Sequence, residues 1–182
     1  LLRHLVSAAA ADGVTFQASI EIEFALALPG GVAFEPACRG PAYGMTRLVE
    51  QSEFSAELLR ALAAEGIEVD QFHPEYAAGQ YEVSVGVANP VAAADHSVLV
   101  RQTIRAVAQR HGLRVSFAPA VLAGGVGNGG HLHLSAWRDG RDLHAGGDGR
   151  LGMTADAEGF LAGIVEQLHT AGLDLLDLRR GI

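Results

Sequence analysis

Apolar and polar residues alternate along residues 15–28, and this period of two predicts a β-strand, because successive side chains of a strand point to opposite faces. Residues 1–11 instead have the spacing of an amphipathic helix, and Gly13 is placed to end it. Pro29 and the two glycines after it stop the strand. The beginning of the chain therefore predicts a helix followed by one long strand.

The rest of the chain alternates between helix-like and strand-like periods in the same way. Helices are predicted over residues 46–64, 90–110 and 154–170, and strands over 67–72, 80–87, 113–117 and 131–137. Asn89 before Pro90 is an N-cap signal, and Thr46 and Thr154 are predicted to cap the other two helices. Arg-Asp-Gly at 138–140 favours a hairpin. The pattern predicts an α+β fold, with a curved, mainly antiparallel sheet and helices on its convex side.

The composition is that of a folded domain, since 49% of the 182 residues are hydrophobic and 19% are charged. We predict a single partial domain over residues 1–182, because the chain starts inside a predicted helix and shows no clear linker. The formal charge of −8, without a basic stripe, argues against nucleic acid as a partner. The single cysteine, Cys38, and the lack of a long apolar run or signal peptide predict a cytoplasmic protein that does not contact a membrane.

Glu21 and Glu23 stand out in the first predicted strand because they interrupt an apolar run. Side chains two residues apart share a strand face, which places the two carboxylates about 5–7 Å apart. Two like charges on a half-buried face repel each other and lose hydration unless a cation neutralises them. The pair therefore predicts a metal site, and a solvated sheet face with a nearby Lys or Arg is the alternative.

Two more segments carry polar residues on one strand face. Glu75 ends one predicted strand and Glu82 starts the next, and later His131, His133 and Ser135 share a face opposite two leucines. Carboxylates with one imidazole suit Mg²⁺ or Mn²⁺, which favour oxygen ligands. Two such cations, with phosphate oxygens as further ligands, are typical of phosphoryl transfer.

Each of these features also has an ordinary structural explanation. A His-x-His pair can lie on an exposed strand face, and Glu75 and Glu82 can be surface residues. The glycine-rich stretch 124–130 can be a plain flexible loop. All of these residues fall on the polar faces of their predicted strands, and this coincidence favours one site on a single face of the sheet.

Three segments taken together resemble the catalytic domain of the glutamine synthetase family. They are Glu21-Ile-Glu-Phe24, Glu75-Tyr-Ala-Ala-Gly-Gln-Tyr-Glu-Val83 and Gly127-Asn-Gly-Gly-His-Leu-His-Leu-Ser135. Between them, Ala94-Asp95 and Ser116-Phe-Ala-Pro119 keep the family's order and spacing. The resemblance spans nearly all of the chain and lies in the ordered set rather than in any one segment.

The resemblance implies two metal sites for Mg²⁺ or Mn²⁺. Glu23, Glu75 and Glu82 resemble the ligands of the first ion. Glu21 and His131 resemble two of the three ligands of the second ion, which helps to hold the γ-phosphate of ATP.

The resemblance also implies substrates and a reaction. His133 and Ser135 resemble residues that contact ATP, and Gly127 resembles a substrate-binding residue. In the family, ATP phosphorylates the γ-carboxylate of glutamate, and ammonia then displaces the phosphate. Relatives use polyamines or other amines, and the full-length parent is expected to be a homo-oligomer that works in nitrogen metabolism.

The chain departs from the family pattern at three positions of the glycine-rich loop. Ala120 and Val121 stand where the family has Lys-Pro, and Val126 stands where it has Asn or another small residue. The resemblance implies that the missing lysine would place a positive charge near the nucleotide, so that its loss affects nucleotide binding. It also implies that the missing asparagine helps to bind glutamate, so that Val126 affects the choice of substrate. The family's N-terminal β-grasp domain, its phosphate-binding arginines and the last ligand of the second metal have no counterpart here.

We therefore predict a fragment of an ATP- and metal-dependent carboxylate–amine ligase that resembles glutamine synthetase and is inactive alone. A γ-glutamyl-amine or polyamine synthetase is the first alternative. A degenerate, non-catalytic metal- or nucleotide-binding module and a purely structural sheet with solvated carboxylates are the others. The sequence identifies no catalytic acid or base.

Overall fold

A computed structural model describes residues 1–31 and 33–170 of the chain. The helices are α1 (Leu2–Ala11), α2 (Met45–Glu50), α3 (Ser52–Ala64), α4 (Pro90–Arg110) and α5 (Ala155–Thr170). The strands are β1 (Val14–Ala27), β2 (Val69–Pro74), β3 (Gln80–Val85), β4 (Arg114–Ser116), β5 (Gly130–Arg138) and β6 (Arg141–Asp142). Two compact units are present, one formed by Leu1–Phe16 with residues 135–170, the other by Gln17–Leu134.

Most of the predicted elements are confirmed. Asn89 caps α4 as predicted, because its side chain accepts hydrogen bonds from the backbone N–H groups of Val91 and Ala92. The expectation of one helix over residues 46–64 is wrong. The helix is interrupted at Gln51, whose side chain donates to the carbonyl of Ala37 at 3.0 Å.

The prediction that Thr46 caps this segment is also wrong. The extended residue before α2 is Gly44, and Thr46 lies inside the helix. Gly44 ends a tight turn in which its N–H donates to the carbonyl of Pro41 at 3.1 Å. This turn starts the helix two residues earlier than a threonine cap at Thr46 would.

The larger unit is built on a sheet in which β2, β3, β1 and β5 follow one another, and β4 also pairs with β1. The pairs β1–β3, β1–β4 and β2–β3 are antiparallel. Their register places His73, Glu82 and Glu23 opposite one another on three neighbouring strands. The next row on β1 and β3 pairs Glu21 with Ser84. Three of the glutamates singled out by the sequence, Glu21, Glu23 and Glu82, thus meet on adjacent rows.

One face of this sheet forms the core under α3 and α4. The buried side chains of this core are Ile22, Phe24, Leu26, Tyr81, Val83 and Val85 from the strands with Phe54, Leu58, Leu62, Val100, Ile104 and Val107 from the helices. Each large apolar side chain buried in this way contributes about 1.5–3 kcal/mol. The alternation along β1 and β3 therefore directs the carboxylates to the opposite face.

The smaller unit has its own core of Ala136, Leu143 and Ala157, with Val14, Phe16 and Met153 packed against it. β5 and β6 form the hairpin predicted at 138–140, with Arg138 opposite Arg141. Thr154 caps α5 as predicted, since its hydroxyl accepts from the N–H of Ala157. Within the described residues, no helix has both the length and the apolar character to cross a membrane.

Candidate metal centre on the polar face of the sheet

Two groups of potential ligands lie on the polar face of the sheet in the larger unit. One consists of Glu21, Glu82 and His131, and the other of His73, Glu75 and Glu82. In each group one ligand atom from every residue lies within 4.8 Å of the others. Glu82 belongs to both groups, so that the two candidate sites are adjacent.

The carboxylate of Glu21 faces the two histidines of β5. Its Oε2 lies 2.7 Å from His131 Nδ1, and its Oε1 lies 3.1 Å from His133 Nε2. Burial alone would raise the pKa of Glu21, but the hydrogen bonds and charge of the two histidines outweigh it and hold the pKa below its ordinary value. The two histidines therefore favour the ionised form of the Glu21 carboxylate.

Glu82 has the opposite electrostatic environment. Burial raises its pKa first, and the neighbouring charge of Glu21 raises it further, while His73 and a hydrogen bond from Ser84 oppose the shift. Only 7% of Glu82 is exposed. A nearby cation would stabilise the ionised form of such a buried carboxylate, because it compensates a negative charge that has lost its hydration.

Glu23 is held by a network around Gln80 and lies outside both groups. Gln80 Nε2 donates to Glu23 Oε2 at 2.7 Å and lies 2.9 Å from the carbonyl of Gly127 and 3.1 Å from Asn128 Oδ1. Gly129 passes so close that a Cβ there would lie 2.5 Å from Glu23 Oε1. The glycine-rich loop thus contacts β1 directly, and its Gly127 contributes a carbonyl to the network.

A buried arginine supports the turn that carries Glu75. Arg47, which is 2% exposed, donates five hydrogen bonds to backbone carbonyls. Two of these go to Glu75 and Ala77 at 2.7 and 2.6 Å. Tyr81 completes the arrangement by donating to the carbonyl of Arg47 at 2.7 Å. The guanidinium therefore ties α2 to the segment between β2 and β3.

Tyr43 lies beside the same carboxylates. Its ring contacts that of Tyr76, and the charge of Glu75 raises the pKa of its hydroxyl, with burial and Glu23 adding to the effect. Its φ of 57° places a bulky residue in the left-handed region, where strain is expected. The side chain is exposed, and its ring meets that of Tyr76 edge-on.

The remaining predicted residues are placed as follows. Ser135 belongs to the smaller unit, where its hydroxyl accepts from Trp137 Nε1 at 2.8 Å. Ala120 pairs with Gly127 in an isolated antiparallel bridge, and Val126 is exposed in the loop between them. The structure therefore brings Glu21, Glu75, Glu82 and His131 together in the two groups, with His133 beside Glu21.

Sequence reasoning missed four residues of this site. His73 is the cross-strand partner of Glu82. Its position two residues before Glu75 could have indicated it, because residues two apart on a strand share a face. Gln80 lies two residues before Glu82 on β3 and therefore shares its face of the strand. Arg47 and Tyr43 carry no such signal, because they come from a helix and a loop far away in sequence.

The family described as "Glutamine synthetase, catalytic domain" matches residues 1–172 of the chain. The gamma-glutamylpolyamine synthetase GlnA3 of Streptomyces coelicolor is 66% identical over 171 residues, which are 92% of this chain and 37% of the relative. The glutamine synthetase of Mycolicibacterium smegmatis is 31% identical over 93% of this chain and 39% of its own length.

Solved structures show the same relationship. The structure of apo GmaS without ligand superimposes with a TM-score of 0.82 at 33% identity, over 91% of this chain and 40% of that one. The likeness confirms the predicted α+β fold with a curved antiparallel sheet. The chain thus spans about two fifths of the length of the relatives that it matches.

Proposed function

The chain belongs to the glutamine synthetase family, as its sequence predicted, and on that premise we propose that it is part of an ATP-dependent ligase joining the γ-carboxylate of glutamate to a polyamine. The observation that carries the proposal is the convergence of Glu21, Glu82 and His131, and of His73, Glu75 and Glu82, on one polar face. The choice of a polyamine is supported by the 66% identity to the gamma-glutamylpolyamine synthetase.

The donor set fits the divalent cations that the family uses. Carboxylates dominate it, and Mg²⁺ and Mn²⁺ favour oxygen ligands. We assign Glu23, Glu75 and Glu82 to the first ion and Glu21 and His131 to the second. Bound there, the cations would neutralise the phosphate charge that shifts during transfer.

The chain's own residues bind and orient the substrates in this proposal. His133 and Ser135 contact ATP, and Gly127 lies where glutamate is seated. Gln80 holds the Glu23 carboxylate at 2.7 Å and so fixes its direction before any ligand arrives. Preorganisation of this kind lowers the cost of reaching the reactive geometry.

The proposed reaction has two balanced steps. An oxygen of the γ-carboxylate of glutamate attacks the γ-phosphorus of ATP, which gives ADP and an acyl phosphate. The amine nitrogen then forms a bond to the acyl carbon, phosphate leaves with the bonding electrons, and the nitrogen loses one proton. The products are a γ-glutamylamide, ADP and phosphate.

Ammonia is the second candidate for the amine, supported by the similarity to the glutamine synthetase of M. smegmatis. The test uses the full-length parent protein with ATP, Mg²⁺, glutamate and either spermine, putrescine or ammonium. We expect phosphate release and a γ-glutamylpolyamine by mass spectrometry with the polyamines only. Glutamine formation without any polyamine product would reverse the assignment.

A non-catalytic binding module is the alternative favoured by Ala120 and Val126. A full-length parent that binds Mn²⁺ and ATP but releases no phosphate with any amine would support this alternative. For the 182-residue chain, Mn²⁺ titration of the wild type against Glu23→Ala and His131→Ala separates a metal site from a bare sheet. Equal, negligible binding by all three proteins would exclude the metal centre.

The full-length parent is further proposed to be a cytoplasmic homo-oligomer. The support is the resemblance itself, in which a neighbouring subunit completes the active site. Light scattering of the full-length protein would give its subunit number, and a monomer with full ligase activity would contradict the proposal.

A further inference from the structure

We propose that His73 is a further ligand of the first metal ion, so that an imidazole nitrogen joins the carboxylates assigned to this ion and lies beside those of Glu75 and Glu82. The inference deepens the proposed function and rests on it, because it concerns the same cation. The resemblance to the family assigns carboxylates alone to this ion, and His73 lies outside that assignment.

The positions of the three side chains fit ligation of one cation. His73 Nε2 lies 3.5 Å from Glu82 Oε1, and His73 Nδ1 lies 3.5 Å from Glu75 Oε1. Two atoms that bind one cation at about 2.1–2.2 Å, with roughly 90–110° between the bonds, lie roughly 3.0–3.5 Å apart. His73 Nε2 therefore already lies from Glu82 at the separation that ligands of a shared ion adopt, and one ligand atom from each of His73, Glu75 and Glu82 lies within 4.8 Å of the others.

The register of the sheet holds His73 in this place. It is the cross-strand partner of Glu82, and Glu82 is in turn the partner of Glu23. Directly opposed residues have Cβ atoms about 4.5–5.5 Å apart, close enough for their side chains to meet at one ion. Backbone pairing thus positions the imidazole independently of any loop.

A backbone hydrogen bond prepares one nitrogen of the ring. His73 Nδ1 donates to the carbonyl of Pro74 at 3.2 Å, because a carbonyl can only accept. In the neutral ring this leaves the lone pair on Nε2, the nitrogen beside Glu82. Histidine ligands of metals usually donate their other N–H to a carbonyl or carboxylate in this way, which fixes the tautomer.

An imidazole ligand changes which cation the site prefers. Mg²⁺ and Mn²⁺ both favour oxygen ligands, but Mn²⁺, as a first-row transition metal, accepts an imidazole nitrogen more readily than Mg²⁺ does. His73→Asn is therefore expected to weaken Mn²⁺ binding at least about tenfold, since even the loss of an outer partner costs 10–100-fold in metal affinity. Mg²⁺ binding should change less, so that the Mn²⁺/Mg²⁺ affinity ratio falls.

The test uses Mn²⁺ alone as the probe and pulsed EPR, which detects ¹⁴N of a directly coordinated imidazole. The 182-residue chain carries His131→Asn and His133→Asn, which remove the two histidines of the other site. In this background we expect Mn²⁺ to bind at Glu75 and Glu82 with one ¹⁴N coupling. Adding His73→Asn should abolish that coupling, while circular dichroism shows that the fold is retained.

The outcomes separate this inference from the proposed function. Mn²⁺ bound in the background variant without a nitrogen coupling, or a coupling that survives His73→Asn, overturns the inference and leaves the metal centre intact. The background variant failing to bind Mn²⁺ overturns it as well. Failure of the wild type to bind Mn²⁺ overturns both. His4→Asn in the exposed helix α1 is the matched control and should change neither affinity nor coupling.

Discussion

Arg47 shows how a single buried charge can support a site that it does not enter. Its guanidinium is stabilised by the carbonyl dipoles of Gly40, Glu75, Tyr76 and Ala77. A rigid planar fork with several donors can satisfy all of these acceptors at once, and a lysine cannot. The arginine is therefore a positioning residue for the turn that carries Glu75.

Arg47→Met is expected to destabilise the fold by about 3 kcal/mol or more, because it leaves several buried carbonyls without a donor. Arg47→Lys should be intermediate. Thermal unfolding measures the stability, and Mn²⁺ titration at a temperature where the variants stay folded measures the site. We expect weaker Mn²⁺ binding in both variants and no change in Arg60→Met on the exposed face of α3. Unchanged Mn²⁺ affinity would reduce Arg47 to a structural residue.

Glu82 makes the metal-free fold sensitive to pH. Its pKa is raised in the folded state, so that the folded protein binds more protons and loses stability as pH rises from the ordinary value of glutamate through the raised pKa. Glu82→Gln should therefore raise the melting temperature in EDTA at pH 7, and the gain should vanish below about pH 4, where both states are protonated.

The same Glu82→Gln variant should lose the stabilisation that Mn²⁺ gives the wild type. Melting curves at several pH values, with EDTA or with Mn²⁺, measure both effects. Glu53→Gln, at an exposed position of α3, is the matched control. A lower melting temperature for Glu82→Gln in EDTA at neutral pH would show that the buried carboxylate stabilises the fold.

At the scale of elements, the glycine-rich loop approaches β1 at one point. A Cβ at Gly129 would lie 2.5 Å from Glu23 Oε1, whereas a Cβ at Gly130 would meet nothing within 4 Å. Gly129→Ala should therefore displace the Glu23 carboxylate from Gln80 and weaken Mn²⁺ binding about tenfold, with the fold retained.

Gly130→Ala is the matched control and should bind Mn²⁺ as the wild type does. Isothermal titration of both variants provides the comparison. Equal affinities would indicate that the Glu23 side chain rotates away without consequence and is not a ligand.

The elements that the sequence predicted are those whose signals are local. The alternation along β1 and the Asn89-Pro90 cap depend on neighbouring residues, and both are confirmed. The break at Gln51 depends on a hydrogen bond to Ala37 in a distant loop, which no local pattern reveals. Local signals therefore determined where helices and strands form but not where long-range contacts interrupt them.

The candidate site was likewise predictable where its signals are local and not where it depends on long-range contacts. Strand parity predicted which carboxylates share a face, and the ordered motifs predicted the family, but neither predicts register. The row that joins His73 to Glu82 depends on the pairing of β2 with β3 across the turn at Gly79, whose φ is +73°. Arg47 and Tyr43 lie in α2 and in the loop before it, and only the folded chain brings them beside Glu75. No local sequence pattern therefore indicates their part in the site.

At the scale of the molecule, the larger unit exposes apolar side chains. Leu132 and Leu134 on β5, with exposures of 60% and 39%, alternate with the histidines of the site. Exposed apolar patches of this kind mark contact surfaces or cause association. The 182-residue chain is therefore predicted to self-associate, as measured by light scattering over a range of concentrations.

Leu132→Gln combined with Leu134→Gln should reduce this association, whereas Leu59→Gln on α3 should not. A stable monomer with cooperative melting would contradict the prediction. Association that persists in the double variant would place the contact surface elsewhere in the chain.

The position of Glu82 in both ligand groups has a consequence for how the site would load. Ions held in the two groups would not bind independently, because the charge of an ion in one group would act on the Glu82 carboxylate beside the other. Thermodynamic linkage requires the effect to be mutual, so that the first ion changes the affinity for the second by the same factor as the reverse. Metal occupancy of the two groups would then be coupled through Glu82, a single side chain on β3, which is the middle strand of the row that joins His73, Glu82 and Glu23.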